Sequence, residues 1–599
     1  MAIILSMNRQ EMNKRFRSQI VNHLLIFLAI FLGSCSDKGI TILCTTDLHG
    51  YFLPHDYVEN EKLNASLAHV SDFINRLERS KNRLLLLDNG DNLQGQPAVY
   101  YFNFIDTVTP HINTKVMNWL GYEAGTIGNH DIEAGHHVYD RLKREYKFPM
   151  LAANAIDVTT GKPYFEPYKI IKKKNLRIAV FGLVTPAIPN WLPPDLYSGM
   201  EFRDMAETAE YWMPEILKHD PDLVIGLFHA GWNREDLEYS GNDPYNENGT
   251  AEVAYNVPGF DIIFAGHDHR LANEKFVNRS GDTVLILNAG SRSENIALAE
   301  VAFSAGKRGG VSVRSIKGEI VDISDFEPDD EFVKEFELYD KKVLEYAGRV
   351  IGTSATTIST RDSYFGSSAL VDMIHAIQLG ITDADLSFAA PLSFDVKISE
   401  GPVTIGDMFK LYRYENKLYT MNLTGNEIRN YLEYSYAEWL NTMKDPDDFL
   451  LKFRLGKDGK PVITDGKAWT RNQSYNFDSA AGIDYLVDVS KPEGQRIVIK
   501  SFSDGKPFEM QRSYRVALNS YRGNGGGGHL TEGAGIDKEE LIKRLISTTD
   551  HDLRFYILQY IEAQKLINPL PFNNWKIVPE EWAKTASARD YRILFGKTD

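Results

Sequence analysis

The sequence predicts an α/β protein of at least two domains, and three observations carry that expectation. Between residues 40 and 300, short β-branched and aliphatic runs alternate with amphipathic segments, the pattern of buried strands joined by helices. An acidic, then amphipathic stretch at 325–349 interrupts this rhythm, and a second globular region follows. The chain has 599 residues, more than one hydrophobic core organises.

The N-terminus reads as a targeting segment over residues 1–35. Lys14, Arg15 and Arg17 precede the apolar run Leu24–Leu32, which is too short to span a bilayer comfortably and fits a signal peptide. Leu32-Gly33-Ser34-Cys35 follows and resembles the bacterial lipoprotein signal, which implies a lipid anchor at Cys35 and a place in the periplasm or cell envelope. An ordinary cleaved signal with an incidental cysteine is the alternative. Met12 starts a more compact version of the same signal. Only Cys44 then remains, so no intramolecular disulfide is expected and Cys44 reads as a small core residue. No other stretch is long and apolar enough to cross a membrane, so the body is expected to be soluble and at most tethered.

Composition bounds the partners. At 43% hydrophobic and 25% charged residues the chain is an ordinary globular protein. Its net charge of −16 argues against nucleic-acid polymers, because no basic face draws a polyphosphate in. A small anionic substrate stays open if bound metal supplies local positive charge.

Taken in order, the strands of the first half (40–324) end in polar residues. Ile40–Thr46 runs into Asp47-Leu48-His49, and Leu84–Asp88 into Gly90-Asp91-Asn92-Leu93-Gln94-Gly95. A helix over Leu67–Glu78 lies between them, with Leu67, Val70, Phe73, Ile74 and Leu77 on one face. The short run Glu123–Ile127 gives Gly128-Asn129-His130-Asp131. After Arg177–Val184, the strand Leu223–Phe228 gives His229, Asp261–Ala265 gives Gly266-His267-Asp268-His269, and Thr283–Asn288 closes the set. Each of these is ordinary as a turn former or a buried histidine. Five strand ends, in order, carrying Asp, Asn or His form a constellation, because α/β sheets collect ligands at the carboxyl ends of their strands.

Carboxylate, amide and imidazole donors suit Zn, Mn, Fe or Co better than calcium, and no thiolate is offered. Seven candidates (Asp47, His49, Asp91, Asn129, His229, His267 and His269) exceed what one tetrahedral ion takes. They fit two divalent ions sharing one carboxylate, an arrangement that activates water and clamps a phosphoryl group.

In order and spacing, Asp-x-His, Gly-Asp-x-x-x-Gly, Gly-Asn-His-Asp, a lone His and Gly-His-x-His resemble the calcineurin-like metallophosphoesterases over roughly Ile40–Asn288. The resemblance implies a β-sandwich flanked by helices. It implies one ion on Asp47, His49, Asp91 and His269, and the other on Asp91, Asn129, His229 and His267, with Asp91 bridging. His130 would then protonate the leaving oxygen or stabilise its charge. In 5′-nucleotidases an Asp three positions after that histidine orients it; here Glu133 holds that position and Asp131 is the immediate neighbour, so either carboxylate is a candidate.

In the second half, Asp325–Arg349 carries Phe332, Phe336, Tyr339 and Val343 at helical spacing and reads as a linker helix within 325–353. The region 354–567 holds three informative stretches: Ala389–Asp395, Tyr412-Arg413-Tyr414-Glu415-Asn416, and Asn519-Ser520-Tyr521-Arg522 running into Gly523-Asn524-Gly525-Gly526-Gly527-Gly528. Consecutive glycines allow close backbone approach to a ligand, and two tyrosines at loop mouths can stack a base. With Tyr475-Asn476-Phe477-Asp478, these stretches are similar to the C-terminal α+β domain of the 5′-nucleotidase family, nearest its 2′,3′-cyclic-nucleotide 2′-phosphodiesterase/3′-nucleotidase branch. The Asn-Gly-Gly-x-x-Arg type grip of true 5′-nucleotidases is absent where Ala389–Asp395 stands. The resemblance, which now covers most of 40–565, implies that Tyr414 and Tyr521 sandwich the base, with Arg522 and Asn524 as further substrate contacts. Pro569 and Pro571 open residues 568–599, expected as an irregular surface tail.

The sequence therefore reads as an exported two-metal phosphoesterase converting 2′,3′-cyclic and 3′-nucleotides to nucleoside and phosphate. A 5′-nucleotidase or broad nucleotide phosphatase is the alternative within enzymes, and a non-catalytic surface nucleotide-binding protein is the alternative outside them.

Overall fold

The computed structural model describes residues 39–77, 83–234, 245–305, 311–464 and 467–596; the signal segment and Cys35 lie outside the described residues. The first half forms two six-stranded sheets. One runs in spatial order through Val311–Asp322, Asn295–Ala305, Gly39–Thr45, Leu84–Asp88, Ala124–Thr126 and Met150–Leu151. The other runs through Leu271–Val277, Thr283–Ala289, Ile262–Ala265, Leu223–His229, Leu176–Val184 and Tyr168–Lys173. Central strands pair in parallel in both sheets; antiparallel strands close both edges of the second sheet and one edge of the first, whose other edge strand, Met150–Leu151, is parallel.

The two sheets share one apolar layer. Ile42, Cys44, Leu85 and Leu87 of the first meet Ile178, Val180, Ile225, Leu227 and Phe264 of the second. Each outer face is covered by helices: Leu67–Arg76 and Asp330–Ala347 on the first, Met205–Leu217 and Thr250–Asn256 on the second. Every central strand is thus apolar on both faces, which is why its sequence is a continuous aliphatic run and not an alternation. Stacking two parallel-cored sheets also brings two sets of strand carboxyl ends to the same edge of the domain.

The second domain is built on a five-stranded sheet ordered Ser479–Ala481, Leu386–Ala389, Ser513–Asn519, Lys417–Thr424 and Leu545–Asp552. The helix Gly425–Trp439, started by a capping box between Thr424 and Glu427, packs its aromatic face into that core, with Trp439 stacked 5.2 Å from Phe477. Residues beyond 568 are not an irregular tail, which corrects the expectation drawn from Pro569 and Pro571. Trp575–Val578 pairs in parallel with Ile483–Asp488, and the helix Glu580–Phe595 buries Ala583, Ala586 and Leu594 in the domain core.

The domains meet beside the strand ends of the first. Tyr100 lies in one apolar cluster with Phe409 and Leu553, and the Arg554 guanidinium stands 4.0 Å over Phe409 and 5.0 Å over Tyr100. Gln94 Nε2 donates to Arg413 O at 2.7 Å, fixing the loop that carries Tyr414. Among the described residues, no helix is long and apolar enough to cross a membrane.

Candidate metal centre

The strand ends of both sheets converge on one site. Asp47 and His49 follow Gly39–Thr45, Asp91 follows Leu84–Asp88, and Asn129 follows Ala124–Thr126. From the other sheet come His229, which ends Leu223–His229, and His267 and His269, which follow Ile262–Ala265. Two groups emerge, Asp47–His49–His269 and Asp91–His229–His267, each with its ligand atoms within 4.8 Å of one another. Asn129 joins the second group, its Oδ1 2.8 Å from His267 Nδ1. The resemblance implies Asp91 as a bridge, but it falls within the second group only.

The backbone is bent to make this possible. Asp47, His49, Asp91, His267 and His269 all have positive φ, between 47° and 72°, a conformation that side-chain-bearing residues rarely adopt and that collects at functional sites. Gly128 lets two of these turns touch: a Cβ there would lie 2.1 Å from Asp91 Oδ1.

Three of the histidines are pinned through one ring nitrogen, which leaves the other to ligate. His49 Nδ1 donates to Gln94 O at 3.0 Å, and His229 Nδ1 donates to Asn89 O at 2.7 Å. Both acceptors are backbone carbonyls, so both rings offer Nε2 to the centre. His229 Nε2 is buried with no hydrogen-bond partner and lies 3.1 Å from Asp91 Oδ2. His267 is reversed: its Nε2 meets Glu247 Oε1 at 2.8 Å, and its Nδ1 faces Asn129.

Charge matches this donor set. Burial alone would raise Asp91, but the imidazoles of His229 and His130 outweigh it and hold the carboxyl well below the usual range. Asp47 is likewise lowered against burial, by its hydrogen bond to His269 and by the charge of His229. Burial pushes His49 down to about 3, so it stands neutral. Burial would lower His229, but Asp91 above all raises it to about 10, so a cation on Nε2 would replace a proton there. Two anionic carboxylates, imidazole nitrogens and an amide oxygen fit two divalent cations. Asp47, His49 and His269 would hold one, and Asp91, Asn129, His229 and His267 the other.

His130 stands at the rim. Its ring centroid is 5.4 Å from that of His49, and its Nδ1 meets Glu133 Oε2 at 2.5 Å. Burial would lower its pKa, but Asp91 and then Glu133 raise it to about 9. Of the two carboxylates considered from sequence, Glu133 is the one that holds the ring. Asp131 does not, and its expected catalytic place is corrected: its oxygens accept from the N–H groups of Gly128, Asp91, Asn92 and Leu93 at 2.8–3.1 Å. It ties the two ligand turns together.

Across the mouth, the second domain presents tyrosines. Tyr414 meets Tyr475 edge to face at 6.2 Å, and burial, then the phenols of Tyr521 and Tyr414, raise the Tyr475 pKa. Tyr475 was not singled out as a site residue from sequence. Arg522 does not reach a substrate, which corrects that expectation. It is 1% exposed and donates to Asp478 Oδ2, Gly526 O, Tyr475 O and Asn476 Oδ1, bracing the glycine loop and the Tyr475 turn from behind. Asn524 reaches the first domain instead, donating to Trp191 O at 3.4 Å. Trp191 in turn stacks on the His267 ring at 5.4 Å. Neither Trp191 nor Glu247 lies in a stretch with periodicity or motif, so the sequence offered no signal for them.

Residues 40–271 match the calcineurin-like phosphoesterase family, and residues 350–532 match the 5′-nucleotidase C-terminal domain. The chain is 26% identical to the 2′,3′-cyclic-nucleotide 2′-phosphodiesterase/3′-nucleotidase of Yersinia enterocolitica, over 92% of this chain and 90% of that one. It is also 26% identical to the trifunctional nucleotide phosphoesterase protein YfkN of Bacillus subtilis, over 90% of this chain but only 39% of that longer protein. Among solved structures, a Staphylococcus aureus protein in complex with α-ketoglutarate superposes with a TM-score of 0.72 at 20% identity, over 90% of this chain and 100% of that one. That likeness concerns the fold.

Proposed function

We propose that this chain, a calcineurin-like metallophosphoesterase joined to a 5′-nucleotidase C-terminal domain, hydrolyses 2′,3′-cyclic nucleotides and 3′-nucleotides to nucleoside and phosphate. The observation that carries the reading is the pair of ligand groups, Asp47–His49–His269 and Asp91–His229–His267, with the Tyr414 loop of the second domain tied through Arg413 O to Gln94 of the first. The relatives matched along most of both chains support the substrate class.

Two divalent ions, one held by Asp47, His49 and His269 and the other by Asp91, Asn129, His229 and His267, would supply Lewis acidity toward the phosphoryl oxygens and toward water. The chain's own residues do the rest. Asp47 and Asp91, held anionic in a buried site, fix the charge that the centre presents. His130, its Nδ1 held by Glu133, directs Nε2 toward the leaving ribose oxygen and gives it a proton. Tyr414, Tyr475 and Tyr521 hold the base, so binding far from phosphorus orients the reacting bond. A cyclic substrate passes this centre twice. The first hydrolysis frees the 2′-oxygen and leaves a 3′-nucleotide; the second frees the 3′-oxygen and phosphate.

Incubation with 2′,3′-cyclic AMP and Mn²⁺ should therefore produce 3′-AMP first and adenosine later. Accumulation of 2′-AMP, or no turnover at all, would contradict the reading. Phosphatase action on 5′-nucleotides is the second reading, favoured by the match of residues 350–532. We propose further that the protein is exported and held at the cell envelope through a lipid on Cys35, on the strength of Leu32-Gly33-Ser34-Cys35. Cys35→Ser should then fail to take up labelled fatty acid and should leave the membrane fraction.

A further inference from the structure

We infer that Glu247 is a positioning residue for the second metal, the carboxylate that sets which nitrogen of His267 faces the centre. The inference rests on the reading of Asp91, Asn129, His229 and His267 as ligands of one ion.

His267 is the ligand histidine turned the opposite way from His49 and His229. Those two rings are held through Nδ1 by backbone carbonyls, acceptors that no side-chain substitution removes. His267 is held through Nε2 by the Glu247 carboxylate at 2.8 Å. A carboxylate only accepts. The Nε2 proton is therefore committed to Glu247, and the lone pair of the neutral ring sits on Nδ1. That nitrogen lies 2.8 Å from Asn129 Oδ1. Two acceptors at this distance face each other stably across a shared cation; without one, the ring takes a second proton or the Asn129 amide turns its NH2 toward Nδ1. Glu247 thus prepares the tautomer that the second ion requires.

The rest of the environment fixes the ring plane but not the tautomer. Trp191 covers one face, 5.4 Å away at an interplanar angle of 23°. The His267 N–H donates to Asp47 Oδ1 and Oδ2 at 3.2 and 3.1 Å, anchoring the backbone. Neither contact touches a ring nitrogen. A negative charge on the far side of the ring also raises the basicity of Nδ1, as in carboxylate–histidine–metal arrangements. Glu247 is 52% exposed against 11% for His267, so it can be replaced without opening a core cavity.

The test is a Mn²⁺ titration of metal-stripped full-length protein by calorimetry, with metal analysis after dialysis. Unmodified protein should bind two ions. Glu247→Ala should bind one ion as before and the other about 10–100-fold more weakly, the range for loss of such partners. Glu247→Gln keeps an acceptor and loses the charge, so it should fall between the two. His267→Ala should weaken the same ion, and thermal melting of the metal-free proteins should be alike. Two ions bound by Glu247→Ala with unchanged affinity, or both weakened equally, would overturn the role of Glu247 alone. Unmodified protein that binds no metal would instead overturn the proposed function.

Discussion

Replacing Gly128 with alanine should disable the centre without unfolding the protein. Gly128 has φ −104° and ψ 174°, extended backbone open to any residue, so alanine meets no conformational penalty there. Its Cβ, however, would lie 2.1 Å from Asp91 Oδ1, 2.5 Å from Asp91 N and 2.7 Å from Asp91 Cγ. To reach an ordinary 3.4 Å contact, the oxygen would have to retreat by about 1.3 Å. Metal–ligand distances tolerate about 0.2 Å, and displacements of about 1 Å at a reacting centre cost on the order of 100-fold in rate. Overpacking of this kind costs about 1–3 kcal/mol of stability, which lowers the melting temperature and leaves the fold populated. We therefore expect kcat/KM on a cyclic nucleotide at saturating Mn²⁺ to fall at least about 100-fold, with reduced metal per chain. A Gly128→Ala protein with two ions and unchanged kcat/KM would refute the argument that these two turns must touch.

Three further outcomes are expected. His130→Ala should keep both ions and lose about 10²–10⁴-fold in turnover of nucleotides, with a much smaller loss on nitrophenyl esters, whose leaving group needs no proton; equal losses would remove the acid role. Replacing Tyr414 and Tyr521 together by alanine should cost about 1–3 kcal/mol of binding per base contact and spare phosphodiesters that carry no base, so equal losses on both kinds of substrate would refute the clamp. Leu594→Ala should lower the urea midpoint of the second domain by the equivalent of about 2–5 kcal/mol, because Leu594 is buried in that core; an unchanged midpoint would mean the last helix is peripheral.

The ligands were legible because strand ends in an α/β domain are where chemistry collects, and five runs, in order, each delivered Asp, Asn or His. The sheet arrangement was not. A strand such as Leu223–His229 is apolar on both faces whether helices cover both sides of a single sheet or a second sheet covers one, so the sandwich followed from resemblance and not from periodicity. Backbone φ leaves no mark on composition, so the left-handed turns at Asp47, His49, Asp91, His267 and His269 were invisible.

Elsewhere local cues misled for identifiable reasons. The family resemblance implies Arg522 as a substrate contact, but Asp478, distant in sequence, takes its guanidinium. Asp131 reads as the partner of its neighbour His130, yet the start of the helix Asn129–Glu133 turns it toward the N–H groups of Asp91 and Gly128, while Glu133, one helical turn on, reaches the ring. Pro569 and Pro571 do end a segment. The strand and helix beyond them form because Trp575, Ile577 and Leu594 fill a core built by residues far upstream.

The proposed reaction places one two-metal centre at the ribose 2′- and 3′-oxygens of a nucleotide. The most direct measurement is kcat/KM for 2′,3′-cyclic AMP, 3′-AMP and 5′-AMP on one metal-loaded preparation, repeated after chelation. The account predicts that the cyclic and 3′-substrates exceed 5′-AMP and that both activities vanish together with the ions. Preference for 5′-AMP, or cyclic-nucleotide turnover that survives complete removal of metal, would contradict it.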